Sequence, residues 1–554
     1  MIFRLRILVF CLCVMTATAC DVIKLRTVDF QPPDHAVPPD TPFIGTLTMT
    51  PTQLQFEEYV RASFLDPVIE SLPAFSFNYV SDGTDLIPLR RGLLPGEHPQ
   101  FDFLLGPGRI WQDRDANLHV SLPFTLMSRG VNCTHNGLLR FTLEKGKEGE
   151  KQSGSFLINQ ETCHFLKFDM WGPVSVVYTP AELPRATRII TEFRHEVAGR
   201  IPTKPYADFA KDYPKVDLAR FSVGLPDNDD LSIRGIYFEG VHYMDECRTR
   251  SGAYPFCAHM MLTSFSTAKT AYPAVVMMAL AQQYGLDVYQ QKIVDYLPEA
   301  LSARGEWREV TFGQAGDMAT GNFIDPSVLA DQVAPPFFGD ISAVDKLRAA
   351  FDLPNGARAG EQVVYLTSDT YVLVSAMDAY LRSRKADITD SFEYLVENVL
   401  KPLQVSPDVY VSRRTREAGI NNSGTAFGGF GMFWNSDSVV KIARFLALEA
   451  GRIENRQVLH PRALAATMQL DPEDRGRSTN SYGYYYNNGT WAFPVGLLGE
   501  QYPCDVWVTS MTGLSGIRVI MMPNGLIFYY FNDSQAFPAR EQARAANQVR
   551  PFCA

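Results

Sequence analysis

From about Leu118 to Tyr178 apolar and polar residues alternate in short runs: LHVSLPFTLM, GLLRFTLEK, GSFLINQ and PVSVVYTP are rich in β-branched and aromatic side chains and are separated by Gly, Asn and Lys turns. A period of two puts every second side chain on one face, so each run predicts a strand buried on one side. Together they predict an all-β module of the sandwich or jelly-roll kind. Before it, from about Asp21 to Pro99, prolines are frequent and no period is sustained, so few elements are predicted there. After it, AELPRATRIITEFRHEVAGR reads as a helix and the proline-bearing IPTKPYADFAKDYP as a junction.

Beyond the junction, LSIRGIYFEGVHYMDE predicts a hairpin turning at Glu239-Gly240. DTYVLVSAMDAYLRS and DSVVKIARFLALEAG read as helices, and IRVIMMP and GLIFYYFN as terminal strands. Strands first, helices between and strands last predict an α+β domain whose sheet is assembled from both ends. The chain thus divides into a leader over 1–20, a β-rich module over 21–185, a junction over 186–228 and an α+β domain over 229–554. No internal repeat is present.

Composition narrows the class. A chain of 554 residues with 46% hydrophobic, 12% aromatic and 20% charged residues has ample material for more than one packed core. A net charge of -10 without a Lys/Arg cluster excludes nucleic acid as a partner, because phosphate backbones are held by clustered cations.

The first residues, MIFRLRILVFCLCVMTATAC, carry Arg4 and Arg6, a short apolar stretch and small residues ending at Cys20. This is the pattern of a secretory signal. Its end is similar to a bacterial lipoprotein cleavage box, in which Cys20 would carry the lipid. Ala17 stands where Leu is usual, and Ala17-Thr18-Ala19 also suits ordinary signal peptidase. No later stretch is long and apolar enough to span a bilayer, so attachment to a membrane is expected by lipid anchor alone, in the periplasm or cell envelope.

With Cys11 and Cys13 inside the leader and Cys20 lipidated, Cys133, Cys163, Cys247, Cys257, Cys504 and Cys553 remain. An even set in an exported protein predicts disulfides, and proximity along the chain pairs Cys133 with Cys163, Cys247 with Cys257, and Cys504 with Cys553.

The candidate chemistry begins at TSFSTAKTAYPAVVMMALAQQYGL, from Thr263. Ser266 and Lys269 stand three apart, on one face of a helix, where a polar run gives way to a segment apolar nearly all round. A chain of this length shows about two Ser-x-x-Lys by chance. The other, Ser438-Val-Val-Lys441, lies in an amphipathic helix with Ile442, Phe445 and Leu446 and reads as incidental. Burial separates the two: a lysine at the floor of a cleft has a depressed pKa, and a neutral amine is a competent base. The bland alternative for Ser266 and Lys269 is a serine cap followed by a snorkelling lysine.

Two further stretches bear on this choice. VVYLTSDTYVLVSAMDAYL places Tyr365 on an extended run before a helix that Thr367 or Ser368 would cap, and VTSMTGLSGIRVIMMPNGLIFYYF is a glycine-bearing segment followed by a hairpin. Taken in order with Ser266-Thr-Ala-Lys269, and with VTFGQAGDMATG between, they resemble the serine hydrolases of the class C β-lactamase and penicillin-binding-protein superfamily. The likeness is to the branch of the 6-aminohexanoate-dimer (nylon oligomer) hydrolases and covers roughly Asp230 to Asp533.

The resemblance implies a β-lactamase/transpeptidase-like domain, with an antiparallel sheet flanked by helices and a helical subdomain. Ser266 would be the acylated nucleophile, Lys269 would take or share its proton, and Tyr365 would relay a proton to the leaving group. The N–H groups of Ser266 and Leu514, after Met511-Thr512-Gly513, would form the oxyanion hole. Apart from the resemblance, GTAFGGFGMFW lacks the spacing of a nucleotide loop and reads as backbone packed near a cleft that Gly428 and Gly429 would border, and the aromatic run Tyr482, Tyr484, Tyr485 and Tyr486 reads as a strand face or loop anchor or, being near Met511 in sequence, as a lining of the pocket. No metal or organic cofactor is implied.

Two departures stand out. Met511 occupies the place of the family's usual Lys or His, and Pro273 interrupts the serine helix. A Ser-His-Asp triad through His259 is disfavoured, because no Gly-x-Ser-x-Gly elbow accompanies it. The function expected is exported cleavage of a small amide or ester through an acyl-enzyme. The rivals are a D-alanyl-D-alanine peptidase or β-lactamase, and an inactive binding protein whose amino-terminal module holds a cell-envelope ligand.

Overall fold

The structure is a computed structural model that describes residues 24–327, 330–333, 335–339, 342–416, 424–479 and 481–553. The leader, with Cys20, lies outside the described residues.

The amino-terminal strands are β1 (Ile44–Pro51), β2 (Gln55–Arg61), β3 (Phe75–Asp82), β4 (Asp85–Pro88), β5 (Leu93–Leu94), β6 (Phe101–Leu105), β7 (Gly108–Gln112), β8 (Leu118–Ser128), β9 (Thr134–Leu143), β10 (Lys151–Thr162) and β11 (Leu166–Pro180). They do not form two packed sheets. The ladder runs antiparallel through β8, β7, β4, β3, β1, β11, β10 and β9 and returns to β8, closing a barrel. The expected sandwich gives way to closure because the long strands each serve two neighbours along one edge: β8 pairs with β6 and β7, and β11 with β1 and β2. Register shifts at Ile158/Gln160 and at Lys167/Phe168 supply bends, and closure leaves the ring without an open edge.

Alternation along β1 is direct evidence of the pleat. Leu47 and Met49 are buried, while Thr46 and Thr48 bond outward across the ladder to Asn78 and Ser76. The interior is packed with rings, among them Phe75 and Phe103 with centroids 4.8 Å apart.

After α1 (Ala186–Ala198), the second sheet is built from β12 (Thr203–Pro205), β13 (Leu231–Phe238), β14 (Val241–Met244), β15 (Arg477–Ser478), β16 (Tyr485–Asn487), β17 (Thr490–Pro494), β18 (Trp507–Gly513), β19 (Ile517–Met521) and β20 (Ile527–Asn532). Its order is β12-β14-β13-β20-β19-β18-β17-β16-β15, antiparallel except for the β12/β14 pair. The β13/β14 hairpin turns at Glu239-Gly240, both at positive φ, and β13 pairs with the late strand β20, so the sheet is assembled from both ends as expected. One face of this sheet, through Met511, Val519 and Tyr529, covers the helical interior. The other, through Val508, Ile520 and Phe528, is covered by the carboxy-terminal helix Arg540–Val549. Among the described residues no helix is long and apolar enough to cross a membrane.

The barrel and the α+β domain share one continuous apolar cluster. Paired charges close the seam: Arg250 reaches Glu161 at 2.7 Å and Asp169 at 2.7 Å, while Arg91 reaches Asp408 at 2.6 Å and also binds Glu196. Such charges are tolerable in a dry seam only when matched. All three disulfides form with the pairing expected: Cys133–Cys163, Cys247–Cys257 and Cys504–Cys553.

Candidate active site

The short strand Leu262–Thr263 enters a tight turn at Ser264-Phe265-Ser266 and leaves it as a helix. Phe265 takes a left-handed conformation, with φ of 37°, unusual for a bulky side chain and costing on the order of 1–3 kcal/mol. The helix then passes through a π turn over Thr270–Ala274 that contains Pro273, before α2 (Val275–Tyr284) runs through the core. Proline has no N–H for the fourth-back carbonyl, that of Lys269, so the ladder widens at this point.

Lys269 is 1% exposed. Its Nζ donates to Ser266 Oγ at 2.9 Å, Thr367 Oγ1 at 2.9 Å and the carbonyl of Gly429 at 3.1 Å. Burial lowers its pKa from the ordinary 10.5 to about 8, with Asp331 pulling the other way. Tyr365 closes the group. Lys269 Nζ lies 4.7 Å from its ring centroid, and Ser266 and Trp491 interact favourably with its phenolate form. Burial raises the phenol's pKa above its ordinary value, so it keeps its proton at neutral pH. Tyr486 stands edge-on to Tyr365 at 5.9 Å and Trp491 lies 5.5 Å away.

The helix carrying Thr367, α3 (Thr367–Ser383), is not capped by Thr367 or Ser368. Its cap comes from elsewhere in the chain: Asp331 accepts from Thr367 N–H at 2.7 Å and from Thr367 Oγ1 at 2.6 Å. An anion at a helix N-terminus is favourable, and here it also faces the lysine. Hydrogen bonds therefore run from the Lys269 amine to the Thr367 hydroxyl and on to the Asp331 carboxylate.

Gly513, at the end of β18, presses on the serine turn; a Cβ there would lie 2.7 Å from Ser264 O and 3.2 Å from Ser266 N. Leu514 follows it at the partly open end of the strand, 41% exposed. Met511 is buried on the core side and leaves no cation there. Arg518 does not replace one: it pairs across from Thr512, on the opposite face, and donates to Ser510 Oγ at 3.1 Å and Phe537 O at 2.9 Å. Gly429 abuts the amine directly, since a Cβ would fall 3.3 Å from Lys269 Nζ and 2.5 Å from Thr370 Oγ1. Gly428 needs its φ of 74° and packs on Val374 and Thr370.

Of the aromatic run, Tyr486 reaches Tyr365, while Tyr482 is 85% exposed. Sequence reasoning missed Trp491 and Asp331: Trp491 follows the aromatic run on the next strand, a signal that was available, whereas Asp331 has no local signal, because its partner is distant in sequence. The incidental pair separates as expected. Lys441 binds Asp437 and Gln404 O, and Ser438 Oγ accepts from Ser406 N. His259 is enclosed with Arg200 and Asp408 and belongs to the seam.

No protein-family profile and no curated protein sequence matches the chain. Among solved structures it is similar to a putative 6-aminohexanoate-dimer hydrolase from Bacillus anthracis, at 15% identity over 58% of this chain and 77% of that one, with a TM-score of 0.40. It is also similar to a penicillin-binding-protein homolog from Caulobacter crescentus (16%, 60% and 95%, TM-score 0.41). A third is a D-stereospecific amidohydrolase from Streptomyces sp. (14%, 61% and 99%, TM-score 0.41).

Proposed function

We propose that the protein is a serine hydrolase that cleaves an amide or ester through an acyl-enzyme on Ser266. The observation that carries this reading is the buried Lys269 amine at 2.9 Å from Ser266 Oγ, with the Tyr365 ring 4.7 Å from the same amine. A hydroxyl is a weak nucleophile until an adjacent base takes its proton. Lys269, brought to about 8 by burial, is that base, and Tyr365, still protonated, is the acid for the leaving group. The N–H groups of Ser266 and Leu514 receive the developing oxyanion. An inactive binder has no use for a lysine held at this desolvation cost. The test is a fluorophosphonate probe mapped by mass spectrometry: the adduct is expected on Ser266, and a label confined to another residue refutes the assignment. The disulfides support export to an oxidising compartment, and lipid attachment through Cys20 belongs to the same proposal.

The substrate reading follows from Met511. A cation at this place would bind the carboxylate of a β-lactam or a terminal D-alanine, and a thioether cannot. Charge-assisted hydrogen bonds are worth about 1.5 to 3 kcal/mol, or roughly ten- to hundredfold in recognition. Short p-nitrophenyl esters are therefore expected to be cleaved with a higher kcat/KM than nitrocefin, and Met511→Lys is expected to raise nitrocefin turnover. Wild-type turnover of nitrocefin equal to that of the esters, with no gain in the lysine variant, would move the β-lactamase reading to first place. Trp491 and Tyr486, packed around Tyr365, favour an apolar acyl group.

A further inference from the structure

Two residues of the barrel rim reach the catalytic domain from either side of one disulfide. Asn132 precedes Cys133 at the start of β9, and His164 follows Cys163 at the end of β10; Thr134 pairs with Thr162, and the cysteine Cα atoms are 5.2 Å apart. The two side chains therefore leave the rim next to one another.

Asn132 is 1% exposed. Its Oδ1 accepts from Phe265 N–H at 3.1 Å, Gly431 N–H at 2.9 Å and the Ser264 hydroxyl at 3.2 Å. Its main-chain carbonyl accepts from the Thr263 hydroxyl. The residues thus held from outside are those leading into Ser266, including Phe265 in its left-handed conformation. His164 does the same for the other half. Its N–H donates to Ser515 Oγ at 3.4 Å, so the Ser515 hydroxyl is free to donate to Nδ1 at 2.7 Å. Ser515, fully buried, directly follows Leu514 and is also left-handed, with φ of 74°. Each half of the oxyanion pair is therefore adjacent to a left-handed residue that is neither Gly nor Asn, and each such residue or its neighbour is tied to the barrel.

We propose that the barrel is an intramolecular clamp on the oxyanion hole, with Asn132 and His164 as positioning residues that set the spacing between the N–H groups of Ser266 and Leu514. This rests on the acyl-enzyme reading above. Donors to an oxyanion act only if they are already in place when charge develops, and small misplacements are costly. The Cys133–Cys163 bridge joins the two arms of the clamp at its base, so the module's contribution is geometric and needs no ligand of its own.

The experiment compares full-length wild type with Asn132→Ala, His164→Leu, His164→Asn, Ser515→Ala and Asn159→Ala. Asn159 sits in the same seam but bonds Thr249 and Ser251, away from both turns. For a p-nitrophenyl ester, Asn132→Ala and His164→Leu are expected to lower kcat by about ten- to hundredfold with KM within about twofold. Affinity for a phenylboronic acid, whose adduct carries the tetrahedral oxygen, should fall in parallel. His164→Asn, which restores an acceptor near the Nδ1 position, should recover most of the loss. Asn159→Ala should lower Tm without moving kcat or boronate affinity. Unchanged kcat and boronate binding in the first two variants, or a loss no greater than in Asn159→Ala, overturns the clamp. If those two variants do not fold, Ser515→Ala decides from the catalytic side: loss of boronate affinity supports the clamp and retention overturns it. Failure of wild type to take a fluorophosphonate on Ser266 is a different result, which removes the acyl-enzyme reading and the clamp with it.

Discussion

Ser266→Ala is expected to lower kcat for a simple acyl ester by about 10³ to 10⁶, because the described Ser and Thr hydroxyls around it are already engaged. Ser264 Oγ is directed at Asn132, and Thr267 Oγ1 donates to Ser264 O at 2.8 Å while accepting from the Trp434 indole at 2.9 Å. Thr367 Oγ1 is the other hydroxyl on the lysine, and its proton goes to Asp331. All are committed and buried. The fold should survive the substitution, since the serine turn is held through main-chain groups of its neighbours. Burst titration with a p-nitrophenyl ester checks the expectation, with Ser438→Ala as the comparison that should retain activity. The opposite pattern, activity kept in Ser266→Ala and lost in Ser438→Ala, would show that the wrong serine-lysine pair had been chosen.

The local part of this site was legible because its signals are local. Ser266 and Lys269 are three apart in one helix; Tyr365 lies just ahead of another; Gly429 sits in a glycine run whose compactness lets a carbonyl approach the amine. The sheet assembled from both ends followed from the order of strands and helices, and the disulfides from an even cysteine count. What was not legible depends on long separations. Asp331 reaches Thr367 across 36 residues, and Asn132 reaches Phe265 across 133. No periodicity encodes such pairs. The barrel was missed for a related reason: strands of either architecture alternate in the same way, and what closes a ring is the sharing of long edges by β8 and β11, which a pattern of faces does not contain. The strands between Ile44 and Leu94 were missed because their outward positions are Thr, Ser and Glu among prolines, so the alternation is weak although Leu47, Met49 and Val80 are buried.

Lys269→Ala is expected to be nearly as damaging as loss of the serine, because groups that act as a unit are not additive, and Tyr365→Phe should follow it. The distinguishing feature is pH. Lys269 carries a proton below about 8 and is a free amine above it, so kcat/KM for a neutral ester should rise as pH passes through about 8 and then level off. The folded protein then binds fewer protons here than the unfolded chain between about 8 and the ordinary 10.5, so this group's contribution to stability rises with pH across the same window. Asp331 supplies the decisive control. Its charge favours the ammonium and raises the lysine's pKa, so Asp331→Asn, which keeps an oxygen for the Thr367 N–H, should move the midpoint of the rising limb to lower pH. A midpoint that stays in place in Asp331→Asn would separate the limb from the lysine. A wild-type profile flat from pH 6 to about 10 would show that no group with Lys269's depressed pKa governs attack.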